Sequence, residues 1–209
     1  MIHIVTAENR HLFHHALMEM HRQRKVVFID ELGWPLESQA DLEIDVYDSE
    51  EAIYLIEAEA PRAPVTASAR LLRTDRPHLM REKFAHLCEA DLPGGGTVWE
   101  ATRFCPAPGT PNGAPRHGML ARMIAAIMET ALLFGVEQVT FVASAALAPL
   151  AADAGWRARA LGRAHGRGRA RVTAFAAEID VDGLRRVRER NGIRMPLTRF
   201  SPGLSARAA

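Results

Sequence analysis

Thr97-Val98-Trp99-Glu100-Ala101-Thr102-Arg103-Phe104-Cys105 is the stretch that decides the fold. Gly94-Gly95-Gly96 precedes it and a Pro/Gly-rich loop over 106–115 follows it, so its β-branched and aromatic residues read as one strand between breakers. Two opposite charges stand three residues apart within it. On a regular strand side chains alternate between faces, so Glu100 and Arg103 would point to opposite sides of a sheet. Both can line one pocket only if a bulge lies between them, and a bulge is predicted there. The bland alternative is a cross-strand ion pair, which contributes little.

Residues 52–59 and 65–73, on the N-terminal side, read as two strands joined by a turn at 61–64, a hairpin by proximity. Before them, 2–6 is a short strand, and Asn9 is placed to cap a helix reaching about residue 30. Leu12, Phe13, Ala16, Leu17 and Met20 recur in it at helical spacing. Gly33-Trp34-Pro35 stops that helix, and 36–51 is a polar, acidic loop holding Asp45 and Asp48. On the C-terminal side an apolar helix over 118–134 leads to a strand at 138–143 and a helix at 146–154. Strands at 156–161 and 172–179 and a helix at 183–191 complete the order. The expected class is α/β of the α+β type: a central mixed, mostly antiparallel sheet with helices on both faces. No repeat or linker divides the chain, so 1–209 reads as one domain with an irregular tail from about 200.

A chain of 209 residues suits one sizeable core, and its net charge of +1 gives no electrostatic reason to expect nucleic acid. The N-terminus lacks the order of a secretory signal and no apolar run is long enough to span a bilayer, which points to the cytoplasm and away from membranes. Cys88 and Cys105 form no motif and read as reduced core thiols. Between Arg157 and Arg171 glycine interleaves a run of arginines. That pattern argues for an irregular solvated loop, or else a docking patch for an anionic carrier protein or the phosphates of coenzyme A. Among His11, His14, His15 and His21, His11 and His15 fall at i,i+4 with Glu19 one further turn on, but nothing supplies a second source of ligands. They read as a polar helix face, and no metal is assigned.

Arg24, Phe28, Trp34, Asp45, Asp48, Arg70, Phe84, Glu100 and Arg103 come from separate elements, and their three acids balance their three arginines. Charges can be gathered away from water only if they are paired or used by a ligand, so the set describes a polar pocket. Arg24 and Phe28 stand one helical turn apart, and an aromatic pair beside an acidic loop suits a cation carrying an adenine. Glu37, Asp41, Glu43, Glu50 and Glu51 read as the exposed remainder of that loop.

The spacing Arg24-x3-Phe28-x5-Trp34, then Asp45-x2-Asp48, Arg70, Phe84 and Glu100-x2-Arg103 closely resembles the signature of acyl-homoserine-lactone synthases, specifically so in the first half and more weakly beyond the Gly155-Trp156 pair. The resemblance implies an N-acyltransferase-like fold. It implies an acyltransferase that joins S-adenosylmethionine, a substrate and no cofactor, to an acyl thioester of coenzyme A or an acyl carrier protein. Its products are a quorum-sensing lactone and methylthioadenosine. By the same resemblance Glu100 is the general base and Asp45, Asp48 and Arg70 complete the catalytic set as an ion-pair scaffold. Arg24, Phe28, Trp34 and Arg103 bind S-adenosylmethionine, Arg103 through its carboxylate. A bulged strand in such folds also frees backbone N–H groups for the thioester oxygen. Arg116-His117-Gly118 opens a helix and could take the phosphates of phosphopantetheine.

The acyl tail is expected among Phe84, Met123, Ile127, Phe141, Val142, Ala143 and Leu147, which would otherwise serve the core. Phe141 is bulky near a position where synthases of 3-oxo-acyl products often carry threonine, which favours an unoxidised short, branched or aromatic acyl group. Other readings are a coenzyme A-dependent N-acyltransferase with another amine, a covalent acyl-enzyme on Cys88 or Cys105, and a non-catalytic binding module of the same fold. The complete charge set and Glu100 favour the synthase.

Overall fold

In the computed structural model, which describes residues 1–168 and 171–203, eight strands form one sheet in the order β6-β7-β5-β4-β3-β2-β1-β8. These are β1 (Ile2–Val5), β2 (Ile53–Glu57), β3 (Ala67–Arg73), β4 (Val98–Pro106), β5 (Gln138–Ser144), β6 (Ala158–Ala160), β7 (Val172–Glu178) and β8 (Thr198–Phe200). Neighbours run antiparallel except β4 with β5 and β1 with β8. The sheet is mixed and mostly antiparallel, as expected.

Strand parity sorts the core into two layers. Ile53 and Leu55 of β2, with Ala67, Ala69 and Leu71 of β3, pack beneath α3 (Ala114–Leu133), α4 (Leu147–Asp153) and α5 (Val181–Arg190). Tyr54 and Ile56 point the other way and meet Phe13, Ala16 and Met20 of the N-terminal helical segment. Burying a strand on both faces requires a nearly continuous apolar run, and β2, Ile-Tyr-Leu-Ile-Glu, is buried throughout. The segment Met119 to Ala131 of α3 is likewise buried nearly all round, which explains its lack of a polar stripe.

Several sequence expectations are corrected. Asn9 is no helix cap: its side chain accepts from the Thr6 N–H (2.8 Å) and donates to the carbonyls of Ile4 and Ser201 (2.9 Å each), tying both chain ends together. The first helix opens as a 3₁₀ turn at Arg10–Phe13, runs as α1 (His14–Arg24) and widens into a π turn over Lys25–Glu31, with Leu12 exposed. It ends at Gly33 with φ +65°, a left-handed conformation that glycine adopts without cost. The short α2 (Leu79–Lys83) and β8 were not expected, and β8 lies where the irregular tail was to begin. The last six residues of that tail lie outside the described residues. α3 begins at Ala114, one turn before the expected start at 118. The Arg/Gly-rich segment is not wholly irregular. It contains β6, and at Gly162 a Cβ would stand 2.3 Å from the Leu87 carbonyl oxygen, so the chain passes there only as glycine.

Candidate active site

The bulge is present. Arg70 pairs with Thr102 and Ser68 with Cys105, so β4 spends three steps where β3 spends two, and Arg103 takes φ +54°. A left-handed non-glycine residue costs on the order of 1–3 kcal/mol, sustained only where other contacts hold it. Here the guanidinium supplies them: Arg103 Nη2 donates to Glu43 (3.0 Å) and Asp45 (2.7 Å), and Nε reaches Glu43 at 3.3 Å. Thr102 and Arg103 thereby share the face of Glu100, while Phe104 turns to the α3 layer.

That face carries a closed charge network. Arg24 is wholly enclosed and gives its donors to Glu43 and, bidentately, to Asp48 (2.8 and 2.9 Å). Arg70, equally buried, grips Asp45 bidentately (2.6 and 3.0 Å), touches Asp48 at 2.8 Å and donates to Thr102 Oγ1. Tyr54 donates its hydroxyl to Asp48 and the Asp45 N–H donates to the same carboxylate. Burial pushes the Asp48 carboxyl up, but the hydrogen bonds and charge of Arg24, with the charge of Arg70, more than reverse it and hold Asp48 well below the usual carboxylate range. Arg24 is raised for the matching reason, its burial outweighed by Asp48 and Glu43.

Glu43 corrects the expectation of an exposed acid. It is 1% exposed and is the third acid of the network, bridging Arg24 to Arg103. His21 is corrected with it, being buried rather than part of a polar face. Its Nδ1–H donates to the Glu43 carbonyl, and burial with the Arg24 charge lowers its pKa. His11, His14 and His15 are exposed.

Glu100 stands apart from that network. Its Oε2 accepts from His78 Nδ1 (3.0 Å) and from the Met80 N–H (3.1 Å), whereas Oε1 is buried with no partner among the described residues. A carboxylate oxygen left so in a 1% exposed side chain is costly unless something cationic or protonated meets it. His78 was missed by sequence reasoning, where a single histidine between proline and leucine carries no signal.

Phe28 and Trp34 stack at 4.8 Å and 11°, with Phe28 buried and Trp34 44% exposed. The Arg103 guanidinium lies over the Phe28 ring at 5.8 Å, and its Nη1 makes no hydrogen bond among the described residues. An aromatic shelf thus adjoins an open cationic donor, on the sheet face that also carries an unpartnered carboxylate oxygen.

β4 and β5 pair only from Val98–Gln138 to Ala101–Phe141, although β4 continues to Pro106 and β5 to Ser144. Past Ala101 the two strands part, leaving an opening at the sheet centre. The expected acyl residues divide across it. Met123, Ile127, Phe141, Ala143 and Leu147 share the α3 layer, whereas Phe84 and Val142 lie on the Glu100 side with Met80, Leu87 and Ala174. Phe141 is sandwiched between Trp156 (4.5 Å, 13°) and Phe175 (5.3 Å, 17°). Of Arg116, His117 and Gly118, all in the first turns of α3, His117 spends its N–H on the Gly113 carbonyl, so free N–H groups begin earlier, after the turn at Gly113 (φ +87°). A separate cavity of about 470 Å³, lined by Met128, Trp156, Glu178, Asp182 and Arg186, sits at the opposite end of β5 and β7.

A sheet whose central parallel strands diverge beside a bulge, with a helix starting at the opening, is the N-acyltransferase fold. An acyl-CoA N-acyltransferase from Pseudomonas aeruginosa shares that fold, with a TM-score of 0.55 at 15% identity over 85% of this chain and 99% of that one. Residues 8–188 match the sequence profile of autoinducer synthases, and the chain belongs to the autoinducer synthase family. An isovaleryl-homoserine lactone synthase from Bradyrhizobium diazoefficiens is 32% identical over 164 residues, which are 78% of this chain and 72% of that protein. A solved CoA-dependent acyl-homoserine lactone synthase, BjaI with SAM and isopentyl-CoA, has a TM-score of 0.86 at 28% identity over 97% of this chain and 93% of that one.

Proposed function

We propose that Glu100 is the general base and Arg103 the carboxylate anchor of an acyl-homoserine-lactone synthase that consumes S-adenosylmethionine and an acyl thioester and releases methylthioadenosine. The observation that carries this reading is the unpartnered, buried Oε1 of Glu100 on the same sheet face as the Phe28–Trp34 stack and the open Nη1 of Arg103. An α-amino acid with an aromatic, cationic far end satisfies all three: ammonium at Glu100, carboxylate at Arg103, adenosyl-sulfonium at the rings.

The base accepts a proton from an α-ammonium whose ordinary pKa is about 8, and the freed amine attacks the thioester carbonyl. An amide forms and the thiol leaves with a proton. The methionyl carboxylate then attacks its own γ-carbon, the C–S bond breaks, and methylthioadenosine departs as a neutral thioether. Closure is intramolecular, so the protein's task is to hold carboxylate and γ-carbon in line. Arg24, Arg70, Asp45, Asp48 and Glu43 fix the loop that carries this geometry, and no further cofactor enters either step. The β4 bulge offers backbone N–H groups to the thioester oxygen as negative charge develops.

The thioester is read as that of coenzyme A, the donor named for the solved relative BjaI, entering where β4 and β5 part. Three stacked rings occupy the α3 side, which favours a short, branched or aromatic acyl group over a long chain. The cytoplasm, where these substrates occur, is the compartment for the reaction; among the described residues no helix is long and apolar enough to cross a membrane. The test is Glu100→Gln beside Trp34→Ala. The first should fold and lose at least about 100-fold in kcat, within the usual contribution of a positioned base, and the second should raise KM for S-adenosylmethionine. Unchanged rate constants in both would remove the proposed site.

A further inference from the structure

Glu100 does not stand alone. The chain turns at Pro77-His78 to start α2, and the two groups that leave this turn toward the sheet both end on one oxygen, Glu100 Oε2: the His78 ring at 3.0 Å and the Met80 N–H at 3.1 Å. A carboxylate only accepts, so His78 Nδ1 carries the proton in this contact. Both side chains are 1% exposed, which makes the hydrogen bond strong and its loss costly. Two donors commit Oε2 and fix the carboxylate plane, and Oε1 is left as the one basic position.

We propose that His78 is the positioning residue of this enzyme, holding the Glu100 carboxylate so that Oε1 alone is presented to the substrate ammonium. This inference rests on Glu100 being the base. The His78 proton stays on Nδ1 throughout: the ammonium proton passes to Oε1, and the carboxylic acid then formed keeps accepting at Oε2. The other ionisable groups of the elements packed around Glu100 are Glu82 of α2, Tyr47 of the acidic loop, whose hydroxyl donates to Glu82 (2.7 Å), and Arg70 two positions along the neighbouring strand. None of these donates to Glu100, so among the side chains the positioning is assigned to His78.

Geometry supplies its own control. The side-chain amide N–H of asparagine stands where His Nδ1 does, while that of glutamine reaches one bond further, to the place of Nε2. His78→Asn is therefore expected to stay within about threefold of the parent in kcat, whereas His78→Gln and His78→Leu lose about 10- to 100-fold, the usual worth of a hydrogen bond to a charged group. KM for S-adenosylmethionine should move little. Equal kcat in the asparagine and glutamine variants, both polar enough to fold, would overturn the proposal. Glu100→Gln, measured alongside, separates the two ideas. If it keeps parent activity, the reading of Glu100 as base fails; if it is inactive while the His78 variants match the parent, only the positioning role fails.

Discussion

Replacing Glu43 by glutamine keeps the shape of the side chain and removes its charge, and the structure gives the consequence a size. The Glu43 carboxylate is shared by Arg24 and Arg103, and Glu43 and Arg24 are each 1% exposed. With it, Glu43, Asp45 and Asp48 match Arg24, Arg70 and Arg103; without it a positive charge is left buried. Breaking one partner out of such a set costs about 3–5 kcal/mol, a large share of the roughly 5–15 kcal/mol that holds a domain folded. For a chain of this size that lowers the thermal midpoint by about 6–20 °C. Circular dichroism melts of the parent, Glu43→Gln and the control Asp41→Asn decide the matter. Asp41 pairs with Arg22 at the surface, the two side chains being 63% and 52% exposed, and its loss should leave the melt close to that of the parent. A Glu43→Gln melt indistinguishable from that of Asp41→Asn would refute the claim that the network is a closed, desolvated unit.

Further consequences follow from the same contacts. Asp48 has a folded-state pKa below its unfolded value near 3.9, so its stabilisation is complete above that value and fades as pH falls toward the folded one; urea midpoints between pH 5 and pH 3 should fall more steeply for the parent than for Asp48→Asn, and parallel slopes would contradict this. Burial pushes the Cys105 thiol up to about 12, leaving about one thiolate in ten thousand at pH 8; Cys105→Ala should keep synthase activity, and a variant that folds but makes no amide would revive the covalent acyl-enzyme. Phe141→Ala removes the middle ring of the Trp156–Phe141–Phe175 stack. It should destabilise by about 3–5 kcal/mol and shift the preferred acyl-CoA toward longer chains in competition assays, while an unchanged preference would place the acyl tail elsewhere.

Parity made the β4 bulge legible: two charges three residues apart cannot share a face without one, and Arg103 at φ +54° is the residue that provides it. The β2–β3 hairpin, two short strands about a Pro-bounded turn, and the helix halting at Gly33 were legible for equally local reasons. What the sequence concealed depends on partners far away in the chain. Glu43 is one acid among several in 36–51, and only the approach of Arg24 and Arg103 distinguishes it from exposed Asp41. His78 acquires meaning from a strand twenty-two residues on. β8 is three residues that become a strand because the edge of β1 is open beside them, and α2 is too short to show a period. Asn9 has the chemistry of a cap, yet a buried carbonyl at Ile4 and another at Ser201 compete for it and win.

The most direct test of the central claim is a product balance. Purified protein would be incubated with S-adenosylmethionine and, in separate reactions, isovaleryl-, benzoyl-, butyryl- and decanoyl-CoA, with methylthioadenosine, free thiol and lactone quantified by mass spectrometry. The expected result is equimolar methylthioadenosine, thiol and acyl-homoserine lactone, fastest with the branched or aromatic short donors. Thiol release or acylation of another amine with no methylthioadenosine from any donor would contradict it.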